Sequence, residues 1–377
     1  MKRIAVVAGE ASGDALGGEL IRALKRRYPG ARFDGIGGPA MCRQGLLSFY
    51  PMDTLSVMGL TEVVRHLPRL WRVRRELIRH YRANPPDLFV GIDSPDFNLG
   101  LARALKQSVI PTAHYVSPTV WAWRQGRIKG IARSVNHMLT LLPFEASFYE
   151  EHGVPVTFVG HPAADRFALE TDVGGYRSAL GLEHSQRVLT VLPGSRTGEI
   201  ERLGTAFMAA AAELQRRLPG LRVLVPVARP GLRPAIEGAV QRAGLDARLI
   251  DDGSERAMGA ADAILTKSGT ATLEAMLLKK PMVVGYRVAA PTAWLVRRLG
   301  LLRVTHFALP NLLAGRLVVP EFIQEAVEPG ALADALERLL TDGHLAADLR
   351  ACFTEQHQRL RRGASDRAAE TLAGLIE

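Results

Sequence analysis

A chain of 377 residues is longer than one small core accommodates, and 47% hydrophobic with 23% charged residues excludes disorder, so two α/β domains are expected. The formal charge of +10 points to an acidic partner: nucleic acid, an anionic membrane or a phosphorylated substrate. No stretch reaches the roughly 18 apolar residues of a membrane span, and the widely separated Cys42 and Cys352 exclude a disulfide framework or zinc site.

The first residues, MKRIAVVAGEASGD, hold only a strand-length apolar run before Gly9 and Glu10, too short for a signal peptide, so a reducing cytosol is expected. Strands are expected near 4–8, 33–36, 87–92, 112–116, 137–142 and 156–159. A second set is expected near 187–192, 221–227, 247–251, 262–266, 282–286 and 303–307. Helical patterns alternate with them, and each set opens with a strand, a glycine-bearing turn and a helix. The fold class is therefore α/β, with two Rossmann-like doubly wound domains facing across a cleft. We divide the chain into 1–165, 166–345 and 346–377, the last stretch helical and able to pack back on the first domain.

In AGEASGD, Glu10 and Ser12 follow the first strand, where Ser12 either caps a helix beginning near Asp14 or meets substrate. Between Glu62 and Arg82, seven arginines stand against two glutamates, while Leu70, Val73, Leu77 and Tyr81 recur at helical spacing. That is a basic amphipathic helix after Pro68, either a solvated face over a core stripe or a surface for anions. In FVGIDSPDFN, Asp93 ends a hydrophobic strand and suits a general base, whereas Asp96, past the proline, is the better cap; both carboxylates capping a turn is the competing reading. HYVSPTVWAWRQGRIKGIAR joins two tryptophans to four basic residues, which suits a nucleic acid or a lipid headgroup with acyl chains, and PTAWLVRRLGLLR at 291–303 has similar character.

In VLTVLPGSRTGEI, Gly194, Ser195 and Arg196 fall between a strand and a helix start, where open α/β sheets bind ligands. Gly194 admits a ligand to the backbone, Ser195 caps or donates, and Arg196 offers a fork to phosphate oxygens. A capped turn with an exposed arginine is the plainer alternative, favoured by Glu199 and Glu201 in the helix's first turns. Some seventy residues on, Ser268, Gly269 and Thr270 repeat the geometry, and Glu274 one turn later can accept both hydroxyls of a ribose; simple helix capping competes there too. Two anion nests and a diol acceptor fit a nucleoside diphosphate. No Walker A motif is present anywhere, which disfavours a P-loop kinase or ATPase; neither nest needs a metal, no Asp-x-Asp-type chelating pair lies in this half, and no cofactor is expected. Asn311, in FALPNLLAG, says little by itself.

Together, AGEASGDALGG, GIGGPAM, VMGLTEV, VGIDSPDFN, HYVSPTVWAWRQ, LPFE, LPGSR, SGTATLE, PMVVGYR and LPNLLAG resemble the lipid-A-disaccharide synthase family, in order over about residues 4 to 325. The resemblance implies a GT-B fold, a UDP-2,3-diacylglucosamine donor and a 2,3-diacylglucosamine 1-phosphate (lipid X) acceptor. It implies a β-1,6 linkage formed with inversion and release of UDP. It makes Asp93 the base on the acceptor 6-hydroxyl and Arg196 the group stabilising departing UDP. Gly194, Ser195, Ser268, Gly269, Thr270 and Glu274 would hold the nucleotide, Asn311 would approach the donor, and Glu10, Ser12 and Asp96 would sit beside the acceptor. The expected setting is the anionic inner-membrane surface, with the protein cytoplasmic and peripheral, no nucleic-acid partner, and monomer and homodimer both open. A UDP-GlcNAc 2-epimerase-like isomerase is the alternative: it explains the UDP sites but neither the basic helix nor the tryptophans. A basic nucleic-acid-binding protein without catalysis is the third option.

Overall fold

The computed structural model describes residues 1–55, 60–123, 125–289, 298 and 305–376. Of the stretches singled out above, part of 57–63 and most of 291–303 lie outside those residues, as does Arg124. The chain divides into two compact units, Met1–Asp165 with Leu360–Glu377, and Arg166–Arg359.

The first unit is built on strands β1 Arg3–Ala8, β2 Arg32–Ile36, β3 Leu46–Ser48, β4 Leu88–Ile92, β5 Thr112–Tyr115, β6 His137–Thr140 and β7 Val156–Phe158. All pairings are parallel, in the order β3-β2-β1-β4-β5-β6-β7. β1 and β4 are continuous apolar runs because helices cover both faces of a parallel sheet. On one face the helices Leu60–Ala83 and Pro95–Lys106 bury Val73, Leu77, Tyr81, Leu101 and Leu105 against Phe89. On the other, Leu20, Ile21 and Leu24 of the helix Ala11–Arg27 join Ala368 and Leu372 of the helix Ala364–Ala373. The helix Leu60–Ala83 runs through Pro68 rather than starting after it.

The second unit carries β8 Val188–Leu192, β9 Arg222–Val227, β10 Ala247–Asp251, β11 Ala263–Lys267, β12 Met282–Tyr286 and β13 Glu321–Ile323. These are again parallel, in the order β10-β9-β8-β11-β12-β13. Two short strands escape the sequence pattern, β3 and β13, each three residues long at a sheet edge. The strand expected at 303–307 falls partly outside the described residues. Its described part, 305–307, is irregular, and β13 takes the edge position beside β12. No described helix is long and apolar enough to cross a membrane.

The helix Ala11–Arg27 begins three residues earlier than expected, and this changes what Asp14 does. Its buried carboxylate accepts the Gly38 and Met41 N–H groups at 2.9 and 3.0 Å and the Ala40 N–H at 2.9 Å. It thereby fixes the GIGGPAM turn and starts the helix Pro39–Arg43. A buried donor left without its acceptor costs about 1–3 kcal/mol. Asp14→Ala is therefore expected to lower stability by at least about 2 kcal/mol, read as an earlier urea midpoint. A midpoint equal to that of the parent would show that water replaces the carboxylate at no cost.

Candidate active site

In each sheet the strand order reverses beside the first strand, between β1 and β4 and between β8 and β11. At such a switch point the following helices leave on opposite faces and the carboxyl ends of the strands open a crevice. The candidate residues gather at these two places.

In the first unit Glu10 is the extended residue before the helix Ala11–Arg27, and Ser12 lies in its first turn. Both are exposed and neither caps the helix, which corrects the capping role considered for Ser12. A Cβ on Gly9 would come within 2.5 Å of the Ser94 hydroxyl oxygen, so the loops after β1 and β4 touch. Asp93 and Ser94 both adopt left-handed backbone, with φ of 50° and 42°. Such residues cost on the order of 1–3 kcal/mol and persist only where the surroundings impose them. The Asp93 N–H bonds the Tyr115 carbonyl at 2.9 Å. The Asn98 amide donates to the carbonyls of Asp93 at 2.8 Å and of Ile92 and Val7 at 3.2 Å each.

The Asp93 carboxylate has no hydrogen bond or ion pair among the described residues. It lines a cavity of about 390 Å³ together with Ser117, Thr119, Trp123 and Arg127. Asp96 lines the same cavity, yet it does not cap the helix Pro95–Lys106 as expected. Pro95 has no N–H to cap, and Asp96 pairs with Arg127 at 2.6 Å instead.

Of the two tryptophans, Trp121 is half-buried, its Nε1 donating to Glu145 at 3.2 Å and its ring edge-on to Phe144. Trp123 is partly exposed and donates to the Thr119 hydroxyl at 3.0 Å. Glu145 also accepts the Leu142 N–H at 3.1 Å. Burial pushes its carboxyl up to about 7, the hydrogen bonds from Leu142, Trp121 and Leu141 opposing the shift.

In the second unit Gly194 has φ of 142°, and a Cβ there would sit 2.6 Å from the Cβ of Glu199. Glu199 accepts the Ser195 N–H at 2.9 Å and the Lys267 ammonium at 2.7 Å. Burial raises the Glu199 carboxyl, but the Lys267 hydrogen bond, the Ser195 N–H and the Lys267 and Arg196 charges outweigh it and hold it below its ordinary value. Arg196 precedes the helix Thr197–Arg217 without capping it; its side chain is 72% exposed and 3.8 Å from Glu199. Lys267 and Glu199 tie the two glycine loops together. Neither was among the sequence candidates, although a lysine directly before Ser268 is a visible cation beside an anion nest.

Gly269, with φ of 144°, precedes the helix Thr270–Leu277, which no side chain caps, so its first N–H groups stay open to a ligand. Thr270 is exposed at that start. Ser268 is engaged within the fold: its hydroxyl bonds the Phe307 carbonyl at 2.8 Å and its N–H the Gly285 carbonyl at 3.3 Å. Glu274 is half-buried with no hydrogen-bond partner among the described residues. Burial raises its carboxyl, the Arg166 charge opposing and Glu255 adding to the rise.

Asn311 is engaged within the fold. Its side chain is fully buried, donating to the Val319 carbonyl and Glu321 at 2.9 and 2.6 Å and accepting from the Val318 and Val319 N–H groups at 2.7 and 2.8 Å. An amide so engaged fixes the turn into β13.

Two parallel sheets, each opening at its switch point on a glycine loop, define the Rossmann-like pair of units found in GT-B nucleotide-sugar enzymes. Solved structures similar in fold include a UDP-GlcNAc 2-epimerase from Neisseria meningitidis bound to UDP-GlcNAc, with a TM-score of 0.64 at 14% identity over 99% of this chain and 100% of that one. The glycotransferase of kitacinnamycin gives 0.62 at 16% identity over 100% and 99%. Those identities carry the fold alone. The family model for lipid-A-disaccharide synthetase matches residues 4–373. The lipid-A-disaccharide synthase of Alkalilimnicola ehrlichii is 56% identical over 97% of both chains. That of Alcanivorax borkumensis is 52% identical over 99% of this chain and 97% of its own. The chain belongs to the lipid-A-disaccharide synthase family, glycosyltransferases of lipid A biosynthesis.

Glu145 titrates higher in the fold than in the unfolded chain, where its carboxyl has the ordinary value of 4.5. Between those values the folded state holds the extra proton, so its contribution is complete below about 4.5 and is lost as pH rises through about 7. Glu145→Gln removes that loss. The thermal midpoint of the variant relative to the parent is expected to climb from pH 5 to pH 8, and a flat difference would show that Glu145 is not held protonated.

Proposed function

We propose that the protein condenses UDP-2,3-diacylglucosamine with 2,3-diacylglucosamine 1-phosphate, giving the β-1,6-linked lipid A disaccharide 1-phosphate and UDP with inversion at the anomeric carbon. The first unit receives the lipid acceptor and the second the UDP-sugar. The observation that carries this reading is the Asp93 carboxylate, which lines a cavity from a strained backbone with no partner of its own among the described residues. A carboxylate spent on a cap or a salt bridge is unavailable as a base; Asp96 illustrates the contrast through Arg127.

Asp93 takes the proton of the acceptor 6-hydroxyl as that oxygen bonds to the anomeric carbon, and the bond to the diphosphate oxygen breaks with its electron pair leaving on UDP. The leaving diphosphate gains charge at that moment, so donors already fixed around it lower the barrier. The exposed Arg196 fork and the uncapped helix start at Thr270 suit that role, and the free Glu274 carboxylate suits the ribose hydroxyls. Lys267 and Glu199 keep the two loops in register beneath the diphosphate.

Membrane association follows from the long basic helix. Leu67 and Trp71 are 41% and 59% exposed, with Arg69, Arg72 and Arg75 exposed among them. Trp at an interface with arginines beside it anchors to a leaflet, each buried CH₂ contributing about 0.8 kcal/mol and each arginine about 1 kcal/mol near anionic lipid. Acylated substrates make that location useful, so we place the enzyme peripherally at the cytoplasmic face of the inner membrane.

Asp93→Asn is expected to lower turnover in a UDP-release assay with both diacyl substrates by about 10²–10⁴-fold, with UDP affinity by calorimetry unchanged. A parallel loss of UDP affinity would make Asp93 structural. Changing Arg69, Arg72 and Arg75 together to Gln should weaken partitioning onto anionic liposomes by roughly two orders of magnitude at about 1 kcal/mol each. Unchanged partitioning removes the membrane role from this helix.

A further inference from the structure

The second unit holds another basic cavity, at the amino edge of its sheet and therefore at the opposite end of the strands from the two nests. It encloses about 560 Å³ beside Arg187, Asp262 and Pro281, which precede β8, β11 and β12. That volume lies within the range of roughly 300–1,000 Å³ usual for small-molecule sites.

The cations lining it are Arg177, Arg187, Lys279, Lys280 and Arg350, against the acids Glu170, Asp262 and Asp342. Of the acids, Asp262 is paired within the lining itself, whereas the exposed Glu170 and Asp342 have no ion pair among the described residues. Asp262 grips Arg177 with both oxygens at 2.9 and 2.8 Å and takes the Val188 N–H at 2.8 Å. Asp342 takes the Leu345 N–H at 3.0 Å. Lys279 is committed as well, to the carbonyls of Ala168 and Leu277 at 3.1 and 2.6 Å and to His357 at 2.6 Å.

Three cations remain. Arg187 and Arg350 are exposed and their guanidinium groups bond nothing among the described residues. Lys280 is 5% exposed, yet its ammonium makes a single hydrogen bond there, to the Ala261 carbonyl at 2.8 Å. An ammonium has three N–H donors, so two are left in a buried position, where an unmade hydrogen bond is most costly. Burial pushes this ammonium down to about 8; Asp262 opposes the shift, and the charges of Arg177 and Arg350 deepen it. Three cations with spare donors outnumber the two unpaired acids, Glu170 and Asp342, and an anion with several oxygens satisfies those donors, guanidinium forks matching phosphate best.

We propose that this cavity binds a small phosphate-bearing molecule, its phosphate oxygens taking the free donors of Lys280, Arg187 and Arg350. The site is independent of the catalytic reading above, because no residue is shared with it.

The test is calorimetry of the full chain with inorganic pyrophosphate at saturating UDP. Saturable binding is expected, weakened roughly ten- to a hundred-fold when charge-assisted bonds are removed in the double variant R187Q and R350Q. Both residues lie on the surface, so an unchanged thermal midpoint confirms that this variant folds; Lys280→Met should give a loss of the same order. Displacement of pyrophosphate by vesicles containing anionic phospholipid would identify a headgroup as the phosphate source, and no displacement a soluble phosphate, the site standing in either case. Absence of saturable binding, or parental affinity in the folded double variant, overturns the proposal.

Discussion

An all-parallel sheet sends every strand the same way, and where its order reverses, the helices leaving two neighbouring strands must cover opposite faces. The backbone between them cannot be roofed by either helix. Both units meet this constraint, at β1 with β4 and at β8 with β11. The loops after those four strands carry Glu10, Asp93, Arg196 and Ser268, so the candidate residues of each unit are collected by topology before any side chain is chosen. Gly9 lying against Ser94 in one unit, and Lys267 reaching Glu199 in the other, are two ways in which neighbouring loops are then held in contact.

The two units use charge in opposite ways at these places. In the second, acid and base are paired: Glu199 is stabilised in its charged form by Lys267 and the Ser195 N–H, and the loops on either side of the switch point become one rigid piece. In the first, the strained Asp93 carbonyl is anchored by Asn98 while its carboxylate is left without a partner among the described residues. The proposed displacement draws on both arrangements, since a cradle must not relax as charge develops and a base must be able to accept a proton.

Much of the fold was legible because buried parallel strands are apolar throughout: IAVVA, LFVGI and VLTVL declare themselves, and glycine loops mark where the first and third of these end. LLS at β3 and EFI at β13 do not, since three residues at a sheet edge show no period. Residue type also marked Asp93, Arg196 and Glu274 as candidates, but not which polar groups were already engaged. Capping by Ser12 or Asp96 was a fair expectation from local pattern; it failed because Asp96 meets Arg127, thirty-one residues away, and because the first helix begins sooner. Such pairings are decided by tertiary contact, which spacing along the chain does not encode.

Asn311 and Ser268 show how polar residues of a site-like motif are also used inside the scaffold. Glu321, on β13, accepts the Phe307 and Ala308 N–H groups at 2.9 and 2.8 Å and the Asn311 amide at 2.6 Å. The segment so held presents the Phe307 carbonyl to the Ser268 hydroxyl. A buried amide with four hydrogen bonds is expensive to replace, at about 1–3 kcal/mol for each group left unpaired. A continuous run of hydrogen bonds thus leads from Asn311 through Glu321 and the Phe307 backbone to Ser268, just before the helix Thr270–Leu277. With its side-chain hydroxyl spent on the Phe307 carbonyl, Ser268 is tied to the scaffold, while the helix start that follows at Gly269 and Thr270 has no side-chain cap.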